Sequence, residues 1–258
     1  MRTEDGIPPA SDRPPISRRL RSTRDRLGWT REALAYHSGV SWSAIAQIES
    51  GRRPSPRPET LRALAQALGV TVDYLLGGTG AASLLVHRAL IYGSGEEFAA
   101  AVVPSVSTAV GRGDAALVVT SDVNAELVRA GLGPVASDVA FVDHQELYGS
   151  PLGAIARFRA FADERTASGA SWVQVVGEPV WTGREDDDVR RWATYESMFN
   201  LLFEGSPLTV LCPYDAGSVD ERILRIARET HPVLMRGTST EPNEAFVDPA
   251  AFVLQGGA

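Results

Sequence analysis

The spacing of apolar residues changes once along the chain, near residue 80. Before it, apolar positions recur three and four apart in short segments. Ile16, Leu20 and Leu27 line one face of a helix that carries Arg18, Arg19, Arg21, Arg24 and Arg26 around the rest. Thr30 is placed to cap a helix through His37 that Gly39 ends, and Ser41 to cap another that carries Ile45 and Ile48 on one face and stops at Gly51. The stretch SPRPETLRALAQALG opens a helix from about Pro58 to Leu68, and TVDYLL gives a short fifth one. Two helices separated only by S-G-V, with three more around them, are the layout of a helix-turn-helix domain. Leu34, Ile45, Ile48, Leu61 and Leu64 are its expected core.

After residue 84 the pattern becomes short apolar runs alternating with amphipathic segments. LLVHRALIY reads as a strand, GSGEEF opens a helix through Val110, AALVVT is a strand, SDVNAELVRAG a helix and VAFVD a strand. A helix around Ile155 to Ser168, the strand SWVQVVGE, a helix from about Val189 to Phe203, the strand LTVLC, the helix SVDERILRIARET and a strand near PVLMR follow. This alternation predicts an α/β domain with a mainly parallel sheet covered by helices on both faces. The expected organisation is a flexible N-terminal arm over 1–15, an all-α helix-turn-helix domain over 16–77, a linker over 78–84, the α/β domain over 85–247 and a C-terminal tail over 248–258. GGTGAAS, 77 to 83, marks the join.

Charge follows the same division. Residues 1–77 hold 12 Arg against 8 acids, whereas 78–258 hold 13 Arg against 24 acids, so the net charge of −7 hides a basic module followed by an acidic one. A polyanion suits the first and is repelled by the second. All 25 basic residues are arginine, so Schiff-base chemistry and the lysine of a Walker A loop are excluded. With 44% hydrophobic and 22% charged residues, no run near 20 apolar residues and a polar, proline-rich start, the chain reads as cytoplasmic, with no membrane partner. The single cysteine, Cys212, forms no internal disulfide and no Cys-cluster zinc site.

The stretch WTREALAYHSGVSWSAIAQIESGRRPSPRPETLRALAQALGV resembles the Cro/repressor-type helix-turn-helix, the XRE family, over about 60 residues. The Ala35 to Gly39 turn, the I-x-x-I-E-x-G-x-R-x-P ending and the L-x-x-L-A-x-A-L-G-V helix all fall at family spacing. In such a domain the helix from Ser41 to Ser50 enters the major groove of double-stranded DNA, which puts Trp42, Ser43 and Gln47 at base edges. Arg31, Ser41, Arg52 and Arg53 are placed for phosphates. Trp42 is the departure, since an indole makes no bidentate base contact; it packs on a thymine methyl or sugar, or turns back onto the protein. A homodimer on a pseudo-palindromic operator is the expected assembly, since one such helix reads only a half-site.

The second half resembles the MEDS sensory domain, known from methanogens, methylotrophs and the DcmR regulator. The likeness rests on His87 and Tyr92 in HRALIYGSGEEF, Tyr148 in ELYGSP, Glu178 and Trp181 in GEPVW, Tyr195, Glu196 and Asn200 in YESMFN, Cys212 and Tyr214 in LCPYD, and His231 in THP. It covers nearly all of 85–247 and implies a sensor of small hydrocarbon derivatives, with these residues lining its ligand site. In parallel sheets ligands bind at the carboxyl ends of strands, where GEPVW and LCPYD stand. IYGSGEEF occupies the place of a phosphate loop but is no Walker A motif, and Glu96 and Glu97 stand where phosphate would approach. The sheet is therefore expected to be RecA-like without a phosphate loop. Within LCPYD, strand alternation puts Cys212 and Tyr214 on one side and turns Asp215 toward backbone amides of the next helix.

Three readings follow: a ligand-responsive DNA-binding regulator, an enzyme with a Cys212 nucleophile served by His231 or His87, and a metal, haem or redox sensor using Cys212 and the histidines. The regulator is favoured. It carries no catalytic residues, metal ligands or cofactor assignment. Individually, Cys212 also reads as inert core, His231 as a helix end and Glu196 and Asn200 as backbone bridges.

Overall fold

The computed structural model describes residues 15–68, 70–77 and 85–256 and divides into two units, 1–84 and 85–258. Nearly all of the expected N-terminal arm and the whole linker over 78–84 lie outside the described residues.

The first unit holds α1 (Ile16–Arg26), α2 (Arg31–Ser38), α3 (Trp42–Glu49), α4 (Pro58–Leu68) and α5 (Val72–Leu75). The caps fall where the sequence puts them. Thr30 accepts from the Ala33 amide and Ser41 from the Ala44 amide, while Gly39 closes α2 at φ +67°, a left-handed conformation that costs glycine little. Leu20, Leu34, Ile45, Ile48 and Leu64 are fully buried and Leu61 nearly so, which confirms the expected core.

The second unit is a seven-stranded sheet of β1 (Leu85–Tyr92), β2 (Ala115–Thr120), β3 (Val139–Asp143), β4 (Val173–Gly177), β5 (Leu208–Asp215), β6 (Val233–Arg236) and β7 (Ser239–Pro242). Its order is β3-β2-β4-β5-β1-β6-β7, parallel except for β7, which runs antiparallel to β6. One face packs against α6 (Gly95–Gly111) and α7 (Asp122–Leu132), through Leu90, Val118, Val176 and Leu211 among others. The other packs against α9 (Pro151–Ala167), α10 (Asp186–Leu202), α11 (Glu221–Thr230) and α12 (Pro249–Leu254), through Val175, Val210, Cys212 and Tyr214. The helix-covered parallel sheet is thus as expected.

Several local expectations are corrected. The short helix α8 (His144–Leu147), a 3-10 turn over Gly133–Asp138 and the strand β7 carry too little periodicity to be read from sequence. The stretch read as a C-terminal tail holds α12, whose Phe252 is buried in the same core as α10 and α11. The strand LTVLC runs on through Asp215, with Pro213 inside it. This is tolerated because β4 pairs with β5 only as far as Leu211, so the missing Pro213 N–H falls where that edge is free.

Candidate functional site

In the first unit, the end of α3 that a groove would meet is open to solvent: Ser41, Trp42, Ser43 and Gln47 are exposed, as is Arg52, and Arg53 is half-buried. The Trp42 indole lies near the Glu32 carboxylate, one of the smaller influences that hold that acid below its usual range, after the helix-start amides and Thr30. Arg31 is not simply a free phosphate ligand. Its Nε donates to Glu49 Oε2 at 2.7 Å, and the same carboxylate takes Arg24 Nε at 2.6 Å and Arg24 Nη2 at 3.1 Å. Burial of Glu49 opposes its charge, but the hydrogen bonds from Arg24 and Arg31 prevail and hold it below the usual carboxylate value. One buried acid at the end of α3 therefore ties α1, α2 and α3 together. Sequence reasoning gave Glu49 and Arg24 no role; the signal available was the single charged residue of α3, facing an arginine-rich helix.

In the second unit the residues expected to share one pocket fall into three connected groups. The innermost is buried: His87 on β1, Glu196 on α10, Cys212 on β5 and His231 at the end of α11 offer ligand atoms that all lie within 4.8 Å of one another. Cys212 Sγ is 3.4 Å from His87 Nε2, and Glu196 Oε2 is 3.8 Å from His87 Nε2 and 3.6 Å from His231 Nε2. Adjacent parallel strands bring the first pair together, since Ala89 is the register partner of Cys212. Asn200, one turn after Glu196, donates to the Ser197 and Thr230 carbonyls and turns its Oδ1 to His87 Nδ1 at 3.1 Å. It thus does bridge backbone, as one reading held, and also orients a histidine. His231 does end its helix, its Nδ1 meeting the Ala227 carbonyl at 2.9 Å.

Burial is the largest influence on the charge state of this group. It raises Glu196 to about 8 and the Cys212 thiol well above its usual value, lowers His87 to about 4 and pushes His231 well below the usual histidine value. A buried thiol raised in this way, 3% exposed, lacks the thiolate and the access that a nucleophile needs. Cys212 does lie within hydrogen-bond reach of His87, but its burial and protonation argue against the enzyme reading.

The second group is aromatic and surrounds the first. Tyr148 packs edge-on against Phe158, Trp192 and Tyr195, and Tyr195 against Phe199. Tyr148 and Tyr195 are fully enclosed, and burial raises both hydroxyls well above their usual value. These two residues are walls of the buried group.

The third group sits where pairing between β4 and β5 stops. There a cavity of about 70 Å³ is lined by His144, Glu178, Trp181, Pro213, Tyr214 and neighbouring residues. Trp181 stacks on Tyr214 with ring centroids 6.1 Å apart, and Tyr214 in turn meets His231 edge-on at 5.7 Å. The Trp181 indole N–H and the Tyr214 hydroxyl are buried without a hydrogen-bond partner among the described residues. Asp215 also lines the cavity, but its polar atoms are engaged by the turn: its Oδ1 accepts from the Gly217 amide at 2.9 Å, and its carbonyl accepts from the Ser218 and Val219 amides. The helix that follows starts at Glu221, later than the sequence suggests, because Asp220 rather than Asp215 caps it.

Behind that cavity Glu178 is held by Tyr92 Oη at 2.5 Å, by Thr120 Oγ1, by Asn124 Nδ2 at 3.2 Å to each oxygen and by the Ser121 amide at 3.3 Å. Thr120, Asn124 and His144 were not foreseen; the only hint was their place at or just past the ends of β2 and β3. The turn after β1 is filled from within, for Ser94 caps α6 and Glu97 Oε2 accepts from the Gly93 amide at 2.7 Å. A carboxylate stands where a phosphate would need those amides.

Fold and site together define a helix-turn-helix unit in one chain with an α/β unit that encloses a buried polar group. Residues 16–75 match the model of a helix-turn-helix domain, and residues 86–232 match that of MEDS, the MEthanogen/methylotroph, DcmR Sensory domain. The chain belongs to the MEDS family. Among curated proteins it is similar to the uncharacterized HTH-type transcriptional regulator RghRB of Bacillus subtilis (strain 168), 36% identical over 66 residues, 26% of this chain and 48% of that protein. It is also similar to the HTH-type transcriptional repressor RghR of the same organism, 39% identical over 61 residues, 24% of this chain and 45% of that one. The chain thus spans about half the length of the curated relatives it matches. Among solved structures, the P22 c2 repressor in complex with a synthetic operator is 38% identical, covering 25% of this chain and 97% of that one at a TM-score of 0.24. No helix among the described residues is long and apolar enough to cross a membrane.

Proposed function

We propose that this chain is a transcriptional regulator that binds a pseudo-palindromic operator as a homodimer and whose operator affinity is set by a small molecule held in the MEDS domain. The observation that carries the DNA half is the solvent-facing start of α3, with Trp42, Ser43 and Gln47 exposed on a basic unit whose sequence matches a helix-turn-helix domain. Two such helices reach successive major grooves roughly 34 Å apart. Gln47 reads a base, Ser41, Arg52 and Arg53 hold phosphates, and Arg31 keeps only the part of its guanidinium that Glu49 does not take.

Sensing is assigned to the cavity at the end of β4 and β5. Its size of about 70 Å³ is that of roughly two liquid waters, at about 30 Å³ each, which suits a compound of one or two carbons. The two unpartnered donors, on Trp181 and Tyr214, suit an acceptor-bearing ligand such as a small alcohol, aldehyde or halide. This agrees with the hydrocarbon derivatives that the MEDS resemblance implies.

The test uses the full chain. Operators are selected from a random duplex pool, and binding is followed by fluorescence anisotropy with and without a panel of one- and two-carbon compounds. Gln47→Ala is expected to cost about 1–3 kcal/mol and relax the preference at one position of each half-site, while Arg52→Ala weakens all sequences alike and lowers the salt slope by about 1. A ligand that acts as a sensor's effector shifts operator affinity by a coupling of about 1–3 kcal/mol. Recovery of no preferred sequence defeats the DNA reading; no shift with any compound of the panel defeats the sensing reading.

A further inference from the structure

The buried group of His87, Glu196, Cys212 and His231 lies behind the cavity, and its features point away from an organic ligand. Four polar side chains, each at most 3% exposed, come from four different elements, and the one hydrogen bond that joins any two of them is that of Cys212 to His87. Both Glu196–histidine separations, 3.6 and 3.8 Å, exceed hydrogen-bond distance. His231 Nε2 and Glu196 Oε1 have no hydrogen-bond partner among the described residues. Buried polar atoms are normally satisfied, and leaving them bare is costly. Once the Cys212 and Glu196 protons are removed, what the group presents inward is lone pairs.

The imidazoles show this best. Asn200 is locked by its two donations to backbone carbonyls, so its Oδ1 faces His87 and that Nδ1 must be the protonated nitrogen. The Ala227 carbonyl, which can only accept, fixes His231 the same way. Both Nε2 atoms are therefore acceptors that face the same group, His231 Nε2 with no partner among the described residues and His87 Nε2 with only the Cys212 thiol. Carbonyl oxygens on the far nitrogens of two histidines are the usual outer support of metal-binding imidazoles.

We propose that His87 Nε2, His231 Nε2, Glu196 and Cys212 Sγ bind one divalent transition metal ion of the zinc class in a closed tetrahedral site. A tetrahedral zinc ion with bonds of about 2.0–2.3 Å sets its ligand atoms about 3.3–3.6 Å apart. Three separations are already 3.4, 3.6 and 3.8 Å and none exceeds 4.8 Å, so small inward movements close the shell. The donor set is the right one: imidazole and thiolate select zinc, cobalt and their neighbours over magnesium or calcium. Metal binding displaces the Cys212 and Glu196 protons to solvent, and the resulting thiolate and carboxylate together cancel the double charge, so the loaded site is neutral in a dry interior. Four protein ligands leave no open position for a substrate. The metal thus braces β1, β5, α10 and the end of α11, and His231 passes its position to Tyr214 on the cavity wall through their edge-on contact.

The experiment uses the full chain, purified from culture supplemented with zinc or cobalt, and a sample stripped with chelator and titrated with Co(II). One equivalent of metal per chain is expected. The cobalt form should show the strong visible bands of a tetrahedral site and a sulfur-to-cobalt charge-transfer band in the near ultraviolet, with zinc displacing cobalt and magnesium failing to do so. Cys212→Ser should remove the charge-transfer band. Asn200→Ala, which only frees the His87 ring, should keep that band and weaken metal affinity about 10–100-fold. Where a variant does not fold by circular dichroism, the spectrum of the unaltered chain decides. Folded chain without stoichiometric metal from either route overturns the proposal. So does cobalt bound without a charge-transfer band, or with a spectrum that Cys212→Ser leaves unchanged.

Discussion

Replacing Glu49 by Gln tests whether the helix-turn-helix unit depends on its one buried acid. The carboxylate is fully enclosed and joins three charge-assisted bonds, two from Arg24 and one from Arg31. Glutamine keeps the shape but loses the charge, and its amide N–H groups face guanidinium N–H groups. Removing one partner of a buried pair costs about 3–5 kcal/mol, because the other charge stays buried and unmatched. A unit of this size holds about 3–9 kcal/mol in all, at 0.05–0.15 kcal/mol per residue, so Glu49→Gln removes a large share. Amide hydrogen exchange read by mass spectrometry on the full chain separates the units, with β1 and β5 as internal controls. Protection across α1 to α3 should fall by about 3–5 kcal/mol while the controls stay level. Because the folded-state value of Glu49 lies below 4.5, its contribution is complete above that pH and is lost as pH falls through the lower folded-state value. The pH-dependent loss should be absent in the glutamine variant. A change within about 0.5 kcal/mol, the range of an ordinary surface substitution, refutes the reasoning.

Gly177→Ala would place a methyl carbon 2.5 Å from Tyr148 Oη and 3.4 Å from Phe158 Cζ; it should destabilise the α/β unit by about 1–3 kcal/mol through overpacking, and an unchanged unfolding midpoint contradicts that. Tyr214→Phe removes a buried hydroxyl that has no partner among the described residues, so stability should hold or rise slightly while the affinity for a cavity ligand changes. Asp215→Ala should lose about 0.5–1.5 kcal/mol with the Gly217 bond and, because that oxygen is already engaged by the turn, change the ligand affinity less than Tyr214→Phe does. Equal destabilisation by both, with ligand binding untouched, moves the ligand elsewhere.

The helix-turn-helix unit was legible almost residue by residue because its signals are local. A cap, its helix and the glycine that ends it lie within ten residues, and Thr30, Gly39 and Ser41 do what their side chains or φ angles dictate. The alternation of strands and helices was equally legible, since each run reports its own period. What failed was everything decided by distant partners. Glu49 reads as an ordinary helix residue until α1 is brought against it. The strand β7 exists only because β6 offers an edge, and α12 only because α10 and α11 leave a place for Phe252.

The site divides along the same line. Motif resemblance named all four residues of the buried group, yet no two of positions 87, 196, 212 and 231 are near enough in sequence for a ligand spacing to show. Each alone has a sufficient ordinary explanation: a core cysteine, a helix-ending histidine, a helix glutamate and a strand histidine. Their meaning comes from the register of β1 on β5 and from an asparagine whose amide is pinned from both sides. Sequence spacing finds metal sites built on one loop or one helix, where the chain itself sets the distances. In a site assembled by a parallel sheet, each crossover inserts a helix between neighbouring strands. The ligands are then scattered by construction, and the signs that survive are structural: buried ligand atoms that face one another and share too few hydrogen bonds to be satisfied.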